Sequence, residues 1–227
     1  MAGGITSSKI VSALARFTGP NLTATLSRLE AAVQGVTAND CQLFLDGVDA
    51  GREALSAAAE LKRQAGQINV TIHALGILLC LPHLLKPGER VEYVSLGAGN
   101  TGRAFDLETN FRVAEFKFIN WRGGSEAIRQ NGVFKDYLLL ALSPTAKSKH
   151  LYLLGTDHAV KFLRGRRALS SILSRNDKLQ RTFAERFGDA YHTVGDYYAD
   201  HGDAVRIEDV SLWLSDLAEG LVAEPER

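Results

Sequence analysis

The chain has little cysteine, no net charge and no long apolar run, and each of these features narrows the possible functions. Its 227 residues include two cysteines, Cys41 and Cys80, in unrelated apolar contexts and without metal-ligand spacing. We interpret both as buried free thiols in a reducing compartment rather than as zinc ligands or a disulfide. The most apolar run, residues 74–81, is too short to span a membrane, and no cleavable signal sequence is recognisable. We therefore expect a cytoplasmic protein with no membrane partner.

Lysine and arginine together number 26, as do aspartate and glutamate, so no overall field favours a polyanionic partner. The charges are nevertheless unevenly spread. Residues 146–181 carry nine Lys or Arg against two acids, whereas residues 185–227 carry eleven acids against three Arg. The basic segment either pairs with the acidic tail or leaves a basic face for a polyanion. No Ser, Cys or Thr lies in a recognisable nucleophile motif, which disfavours acyl transfer.

The hydrophobic periodicity indicates helices, three strands, a helix, a strand and further helices. We therefore predict an α/β fold with a small mixed central sheet of about four strands, flanked by helices. The predicted organisation is a helical N-terminal extension (1–66), an α/β core (67–165) and a helical C-terminal extension (166–227), together forming one compact unit. Residues 68–81 are apolar nearly all round, which predicts a helix buried on every side.

The strand-like runs are 91–96, 103–109, 112–119 and 150–156. A turn at Asn110 and Phe111 makes the second and third of these runs a hairpin, which places Asp106 opposite Glu115 with Lys117 on the same face. Opposed carboxylates repel unless a cation lies between them, and oxygen ligands of this kind suit Mg²⁺. The lysine is placed to act on an attacking water or a phosphate.

This pattern resembles the PD-(D/E)xK nuclease superfamily, which has the restriction-endonuclease-like fold. The match comprises Asp106 on one strand and Glu115-Phe116-Lys117 on the next, within an order of elements that covers residues 68–164. The resemblance implies metal-dependent hydrolysis of phosphodiester bonds, with DNA as the expected substrate. It also implies that Asp106, Glu115 and the Phe116 carbonyl hold Mg²⁺ or Mn²⁺ while Lys117 serves the water.

Branches of the superfamily similar to RecB and phage exonucleases carry Gln followed four residues later by Tyr on the next helix. Here Gln130 is followed by Phe134, so the resemblance implies that Gln130 supports the site while the tyrosine hydroxyl is missing. The helix at 68–81 offers no acid, which is a second departure. Cations that would contact the DNA backbone are Arg129, Lys135, Lys161 and Arg164. A homodimer is left open.

Three other interpretations compete with a nuclease. The chain would be a nucleic-acid-binding or assembly protein if it kept the scaffold without turnover. GAGNTG at residues 97–102 is a dinucleotide fingerprint that would bind S-adenosylmethionine or NAD, but too few residues separate it from the next strand for the helix such a motif needs. Finally, Asp106, Glu115 and Lys117 would form the solvent face of an ordinary hairpin if Lys117 neutralised Glu115.

Overall fold

A computed structural model describes residues 7–97, 104–118, 121 and 127–219. The chain divides into two compact units, Met1–Asn69 and Val70–Arg227. The helices of the described residues are α1 (Ser7–Thr18), α2 (Leu22–Ala32), α3 (Cys41–Gly47), α4 (Arg52–Leu84), α5 (Ala127–Leu142), α6 (Asp157–Leu163), α7 (Leu169–Leu173), α8 (Asp177–Phe187), α9 (Val194–His201) and α10 (Ser215–Glu219). The strands are β1 (Val91–Val94), β2 (Leu107–Thr109), β3 (Arg112–Lys117), β4 (Ser148–Leu153) and β5 (Arg206–Asp209).

The first unit is helical, as predicted, and is built from local signals. Asn21 begins α2 because its side chain accepts a hydrogen bond from the Ala24 N–H at 3.0 Å, which satisfies one of the free donors at the helix start. A small apolar core joins Ile10 and Ala13 of α1 to Ala57 of α4. So few buried side chains make only a modest contribution to stability.

The second unit contains one five-stranded sheet in the order β1-β2-β3-β4-β5. The first three strands are antiparallel, whereas β3, β4 and β5 run parallel. Parallel neighbours need a crossover, and α5 supplies it between β3 and β4. The predicted fold class is therefore confirmed: the protein is α/β, with a mixed sheet flanked by helices.

Strand β3 is buried on both faces, and its alternation decides where each side chain points. Val113 packs in the larger core, which includes the apolar face of α5, whereas Ala114 and Phe116 pack in a second core with α4. Because side chains alternate along a strand, Glu115 and Lys117 share the face of Val113. Two charged residues of β3 are thus directed toward α5 rather than toward bulk water.

Helix α4 is one long helix, and the prediction that its apolar half is buried on every side is wrong. It buries a single stripe against the sheet, formed by Ile77, Cys80 and Leu84, whereas Leu75 and Leu79 are more than half exposed. By length and composition alone, α4 is apolar enough to cross a membrane, with a mean hydropathy of 1.4 over its most apolar window. Core helices of soluble proteins pass the same test when they are mostly buried, whereas only 17% of this window is buried.

The C-terminal segment also differs from its prediction as a helical extension. It belongs to the same compact unit as the sheet, and it supplies β5, which pairs with β4 from His150↔Arg206 to Leu153↔Asp209. Sequence periodicity missed β5 because the strand has only four residues, three of them charged.

Cys80 is buried as expected, but Cys41 is exposed, so only one of the two thiols lies in a core.

An internal ion pair ties the loop after α4 to the sheet. Arg112 Nε lies 2.6 Å from Glu89 Oε1, and Arg112 also donates to the Tyr152 hydroxyl and the Leu84 carbonyl. The Thr109 hydroxyl donates to the same glutamate at 2.7 Å. Burial opposes ionisation of Glu89, but the hydrogen bonds from Arg112 and Thr109 outweigh it and lower its pKa to about 2. Because both charges are fully hydrogen-bonded, the pair is tolerated in the interior.

We expect Glu89→Gln to lower the free energy of unfolding by about 3 kcal/mol, because it leaves the buried guanidinium without its counter-charge. Urea denaturation measures the loss. Glu92→Gln is the matched control: Glu92 pairs with Lys147 on the surface, so the loss should stay below about 1 kcal/mol.

The pH dependence has a definite sign. Since the folded-state pKa of Glu89 is depressed, its contribution to stability is present above the unfolded-state pKa and is lost as the pH falls toward 2. Glu89→Gln should remove that part of the acid dependence. Equal losses for the two variants at neutral pH would contradict a structural role for the buried pair.

Candidate metal-binding site on the central hairpin

The β2–β3 hairpin has the register predicted from the sequence. Leu107 pairs with Ala114 and Glu108 pairs with Val113, so the next position toward the start of β2, Asp106, comes opposite Glu115. The regular ladder ends there. The Asp106 side chain instead accepts a hydrogen bond from the Phe116 N–H at 3.0 Å, and this bond holds a carboxylate at the end of the ladder.

The side chains of Asp106 and Glu115 are hydrogen-bonded to each other. The Glu115 side chain is almost fully buried, and burial together with the negative charges of Asp106 and Asp136 raises the pKa of Glu115 to about 9. Burial also opposes ionisation of Asp106, but hydrogen bonds from His73, the Phe116 N–H and Glu115 lower its pKa. Glu115 is therefore protonated and donates a hydrogen bond to the ionised Asp106, as expected for two adjacent carboxyl groups.

Lys117 lies beside this pair but is held by a different acid. Its Nζ is 2.5 Å from Oδ2 of Asp136, a buried residue of α5. Burial disfavours the charged lysine, but the negative charges of Asp136, Glu115 and Asp106 outweigh burial and raise the pKa of Lys117. Lys117 is therefore a fixed ammonium group. A simple solvent-face pair of Lys117 with Glu115 does not describe this arrangement, because Glu115 is buried.

Sequence reasoning missed two members of the site. Asp136 interrupts the buried stripe of α5 that includes Val133 and Tyr137, and an acid in such a stripe is the signal that identifies it. His73 of α4 is the other member, and its Nε2 lies 3.4 Å from Asp106 Oδ1. Helix α4 has no acid at this site, but it places an imidazole beside Asp106. We call the set His73, Asp106, Glu115, Lys117 and Asp136 the carboxylate cluster.

The donor atoms of the carboxylate cluster are of a kind that suits a divalent cation. Carboxylate oxygens are the preferred ligands of Mg²⁺, and an imidazole nitrogen is also accepted by Mn²⁺. Within the described residues, no group of three or more His, Cys, Asp or Glu side chains is already arranged as a complete ligand set. The Phe116 main chain reaches the cluster through its N–H.

Three of the other residues implicated by the sequence line one of two cavities. Lys117 and Arg129 line a cavity of 240 Å³, here called the lysine cavity. Gln130 and Lys161 line a second one of 360 Å³, here called the basic cavity. Trp121 lines both.

Gln130 does not contact the carboxylate cluster through any described hydrogen bond. Its Oε1 accepts from Arg167 Nη1 at 2.7 Å. Phe134, at the place of the expected tyrosine, is fully buried in the core. Lys135 and Arg164 are exposed on the surface and line neither cavity. The structure therefore brings Asp106, Glu115 and Lys117 together and places Gln130 in a separate group with Arg167.

The glycine-rich GAGNTG motif cannot be evaluated structurally, because residues 98–103 lie outside the described part of the chain. Its first residue, Gly97, adopts a φ of +86°, which glycine accommodates without strain. The chain then reaches β2 at Leu107. The predicted break at 123–125 likewise lies outside the described residues.

A second polar group has the distances of a hydrolytic triad. His150 lies 2.5 Å from Glu208 through Nδ1 and 3.0 Å from Ser148 through Nε2. The Ser148 hydroxyl, however, donates its proton to the Phe111 carbonyl. None of the three triad-like residues lines the cavities of 240, 360 or 450 Å³. This group links β4 to β5.

Comparisons of the chain with models of known protein families, with curated proteins and with solved structures find no match. The chemistry of the carboxylate cluster therefore has to be inferred from its own geometry. That geometry combines a protonated buried carboxyl, an ionised carboxylate, an imidazole and a fixed ammonium group.

We expect Glu115→Gln to leave the metal-free protein at least as stable as the wild type near neutral pH. The glutamine amide can still donate to Asp106, and glutamine does not ionise. Because the folded-state pKa of Glu115 is raised, the wild type should lose stability as the pH rises toward about 9, and the variant should not. Urea denaturation between pH 6 and 9.5 checks both points. A loss as large as that expected for Glu89→Gln would contradict this account.

Proposed function

We propose that the protein is a metal-dependent nuclease of the PD-(D/E)xK type, which hydrolyses phosphodiester bonds in DNA with Mg²⁺ or Mn²⁺. The observation that carries the proposal is the buried contact between Asp106 and Glu115, with the Lys117 ammonium group beside it. The same residues are those that the resemblance implies for metal binding and catalysis.

The proton held by Glu115 in its contact with Asp106 supports the proposal that these two residues bind a cation. Two ionised carboxylates in contact repel each other strongly when they are buried, and the proton on Glu115 relieves that repulsion. A divalent cation placed between the same oxygens would relieve it more fully, because it carries two charges. His73 lies close enough to Asp106 to add a nitrogen ligand. When the ion binds, it replaces the proton on Glu115.

The charge state of Lys117 defines its part in the reaction. A divalent ion held by Asp106 and Glu115 would lower the pKa of a bound water and so supply the nucleophile. Lys117 is a poor general base because its pKa is raised and it is already protonated. It instead donates hydrogen bonds to the attacking water or to the phosphate oxygens, where negative charge increases in the transition state. Asp136 is a positioning residue that fixes the ammonium group.

The cations around the two cavities support a nucleic-acid substrate. Arg129 lines the lysine cavity next to Lys117, and Lys161 lines the basic cavity beyond Trp121. Cations along a path from the reacting group are what a phosphate backbone requires. Lys135 and Arg164, which are exposed and line neither cavity, would add contacts on the surface.

A non-catalytic nucleic-acid-binding or assembly protein on the same scaffold is the second candidate. It is favoured by one observation, that no complete set of three ligating side chains is present within the described residues. In such a protein, nucleic-acid binding would be insensitive to Asp106→Ala. An S-adenosylmethionine or NAD enzyme built on GAGNTG is a third interpretation, and no described contact favours it.

We expect Lys117→Ala to reduce DNA cleavage by about 100-fold or more, the usual cost of losing one transition-state donor. Nicking of plasmid and degradation of linear single-stranded and duplex DNA, each with Mg²⁺ or Mn²⁺, measure the loss. Arg181→Ala is the matched control: Arg181 is an exposed cation of α8 that lines neither cavity, so this variant should keep most of the activity. Wild-type protein that leaves all of these DNAs intact with either ion would contradict the nuclease proposal.

Binding of Mg²⁺ near pH 7 should release about one proton, because Glu115 must ionise to become a ligand. Since its pKa is raised, the affinity for Mg²⁺ should increase as the pH rises from 6 to 9. Calorimetric titration in two buffers with different ionisation enthalpies counts the protons. Glu115→Gln should release none and bind the ion more weakly. Equal affinity across this pH range would contradict the assignment of Glu115 as a ligand.

A further inference from the structure

The described residues that line the basic cavity include cationic side chains and no acid. Its volume is 360 Å³, and the side chains that matter here are Trp121, Gln130, Lys161, Arg166 and Arg167. No carboxylate is among its lining residues. Within the described part of the chain, Lys161 and Arg166 form no ion pair. The cavity is therefore a local concentration of positive charge in a protein whose net charge is zero.

Two buried donors of this cavity have no acceptor among the described residues. Trp121 is 8% exposed and its indole Nε1–H has no partner, and neither has the Nε–H of Arg167. Buried donors without acceptors are rare and cost about 1–3 kcal/mol each. Orphaned donors on the wall of a cavity indicate that a ligand supplies the missing acceptors.

The hydrogen-bonding chemistry of the lining selects the ligand. Indole, guanidinium and ammonium groups donate hydrogen bonds and accept none. Gln130 and His158 are the exceptions: the Gln130 carbonyl oxygen already accepts from Arg167, and the His158 ring both donates and accepts in its neutral form. A lining in which cationic donors predominate is complementary to a group that only accepts and carries negative charge. A phosphate group has both properties.

We propose that the basic cavity binds a phosphate group of the nucleic-acid strand, next to the phosphate that reacts at the carboxylate cluster. The proposal deepens the proposed function and rests on it for the identity of the strand. Trp121 forms a wall of both cavities, so a strand that passes Lys117 can place its neighbouring phosphate against Arg167. Gln130 is then a positioning residue, which orients Arg167 rather than the metal.

The first test measures binding without cleavage. Full-length protein in EDTA is titrated with a fluorescein-labelled 12-nucleotide single strand at several salt concentrations. Lys161→Ala/Arg166→Ala removes two exposed cations of the cavity, and Arg175→Ala/Arg181→Ala removes two exposed cations elsewhere. We expect the cavity variant to bind about tenfold more weakly and to lower the salt slope by about 1.4, whereas the control should change less than threefold. Equal weakening by the two variants would overturn the proposal.

Three versions of the oligonucleotide distinguish the source of the phosphate. The strand carries a 5′-phosphate, a 3′-phosphate or no terminal phosphate. If the cavity takes a terminal phosphate, one phosphorylated strand binds the wild type more tightly and the difference disappears in the cavity variant. If it takes an internal phosphate, all three strands lose affinity equally in that variant. Each result supports phosphate binding and names the position.

Tryptophan fluorescence reports on the cavity directly. The chain has two tryptophans, so Trp213→Phe leaves Trp121 as the only one. Pyrophosphate should shift the emission of this variant, and Arg167→Gln should abolish the shift. If the wild type fails to cleave DNA but pyrophosphate still shifts the Trp121 emission, the nuclease proposal is contradicted and phosphate binding by the basic cavity is supported. No shift, together with no difference between the two double variants, would overturn the cavity assignment.

Discussion

The contact between two buried carboxyl groups on neighbouring strands is the constraint on which the candidate site depends. Asp106 and Glu115 are adjacent because the hairpin register places them there, and they are buried because helices cover both faces of the sheet. Burial makes repulsion between them costly, so one proton must be kept. The flanking helices also supply the counter-groups, His73 from α4 and Asp136 from α5. The helices therefore determine the charge state of the site as well as enclosing the core.

Glu89 and Glu115 show how neighbours, more than burial, decide what a carboxyl group does. Both residues are 8% exposed. Glu89 faces a guanidinium, so its pKa is lowered, and it stabilises the fold as an anion. Glu115 faces two carboxylates, so its pKa is raised, and as an anion it would destabilise the fold. A group whose charged form is disfavoured by the native structure is typical of a functional site, because such an arrangement contributes nothing to folding.

Much of this fold and part of the site follow from the sequence for identifiable reasons. Alternation and the turn at Asn110 determine the hairpin, and with it the meeting of Asp106 and Glu115. Partners from distant helices do not follow, because periodicity shows which face of a helix is apolar but not which strand residue that face meets. His73 and Asp136 were missed for this reason. The exposed side of α4 was predicted wrongly because an apolar surface does not prove that anything covers it.

The charges near the ends of β3 and β4 form two groups, one of carboxylates that would bind a metal cation and one of basic side chains that would bind phosphate. Carboxylates attract a metal cation but repel phosphate. In the proposed nuclease, basic side chains therefore have to lie between the carboxylates and the nucleic-acid strand. Lys117 occupies that position, and Asp136 prevents it from pairing fully with Glu115. The basic cavity continues the positive charge beyond Trp121. In the proposed nuclease, a protein with no net charge would hold a cation and a polyanion side by side, because the field at the site is set by these few groups and distant surface charges are screened by salt.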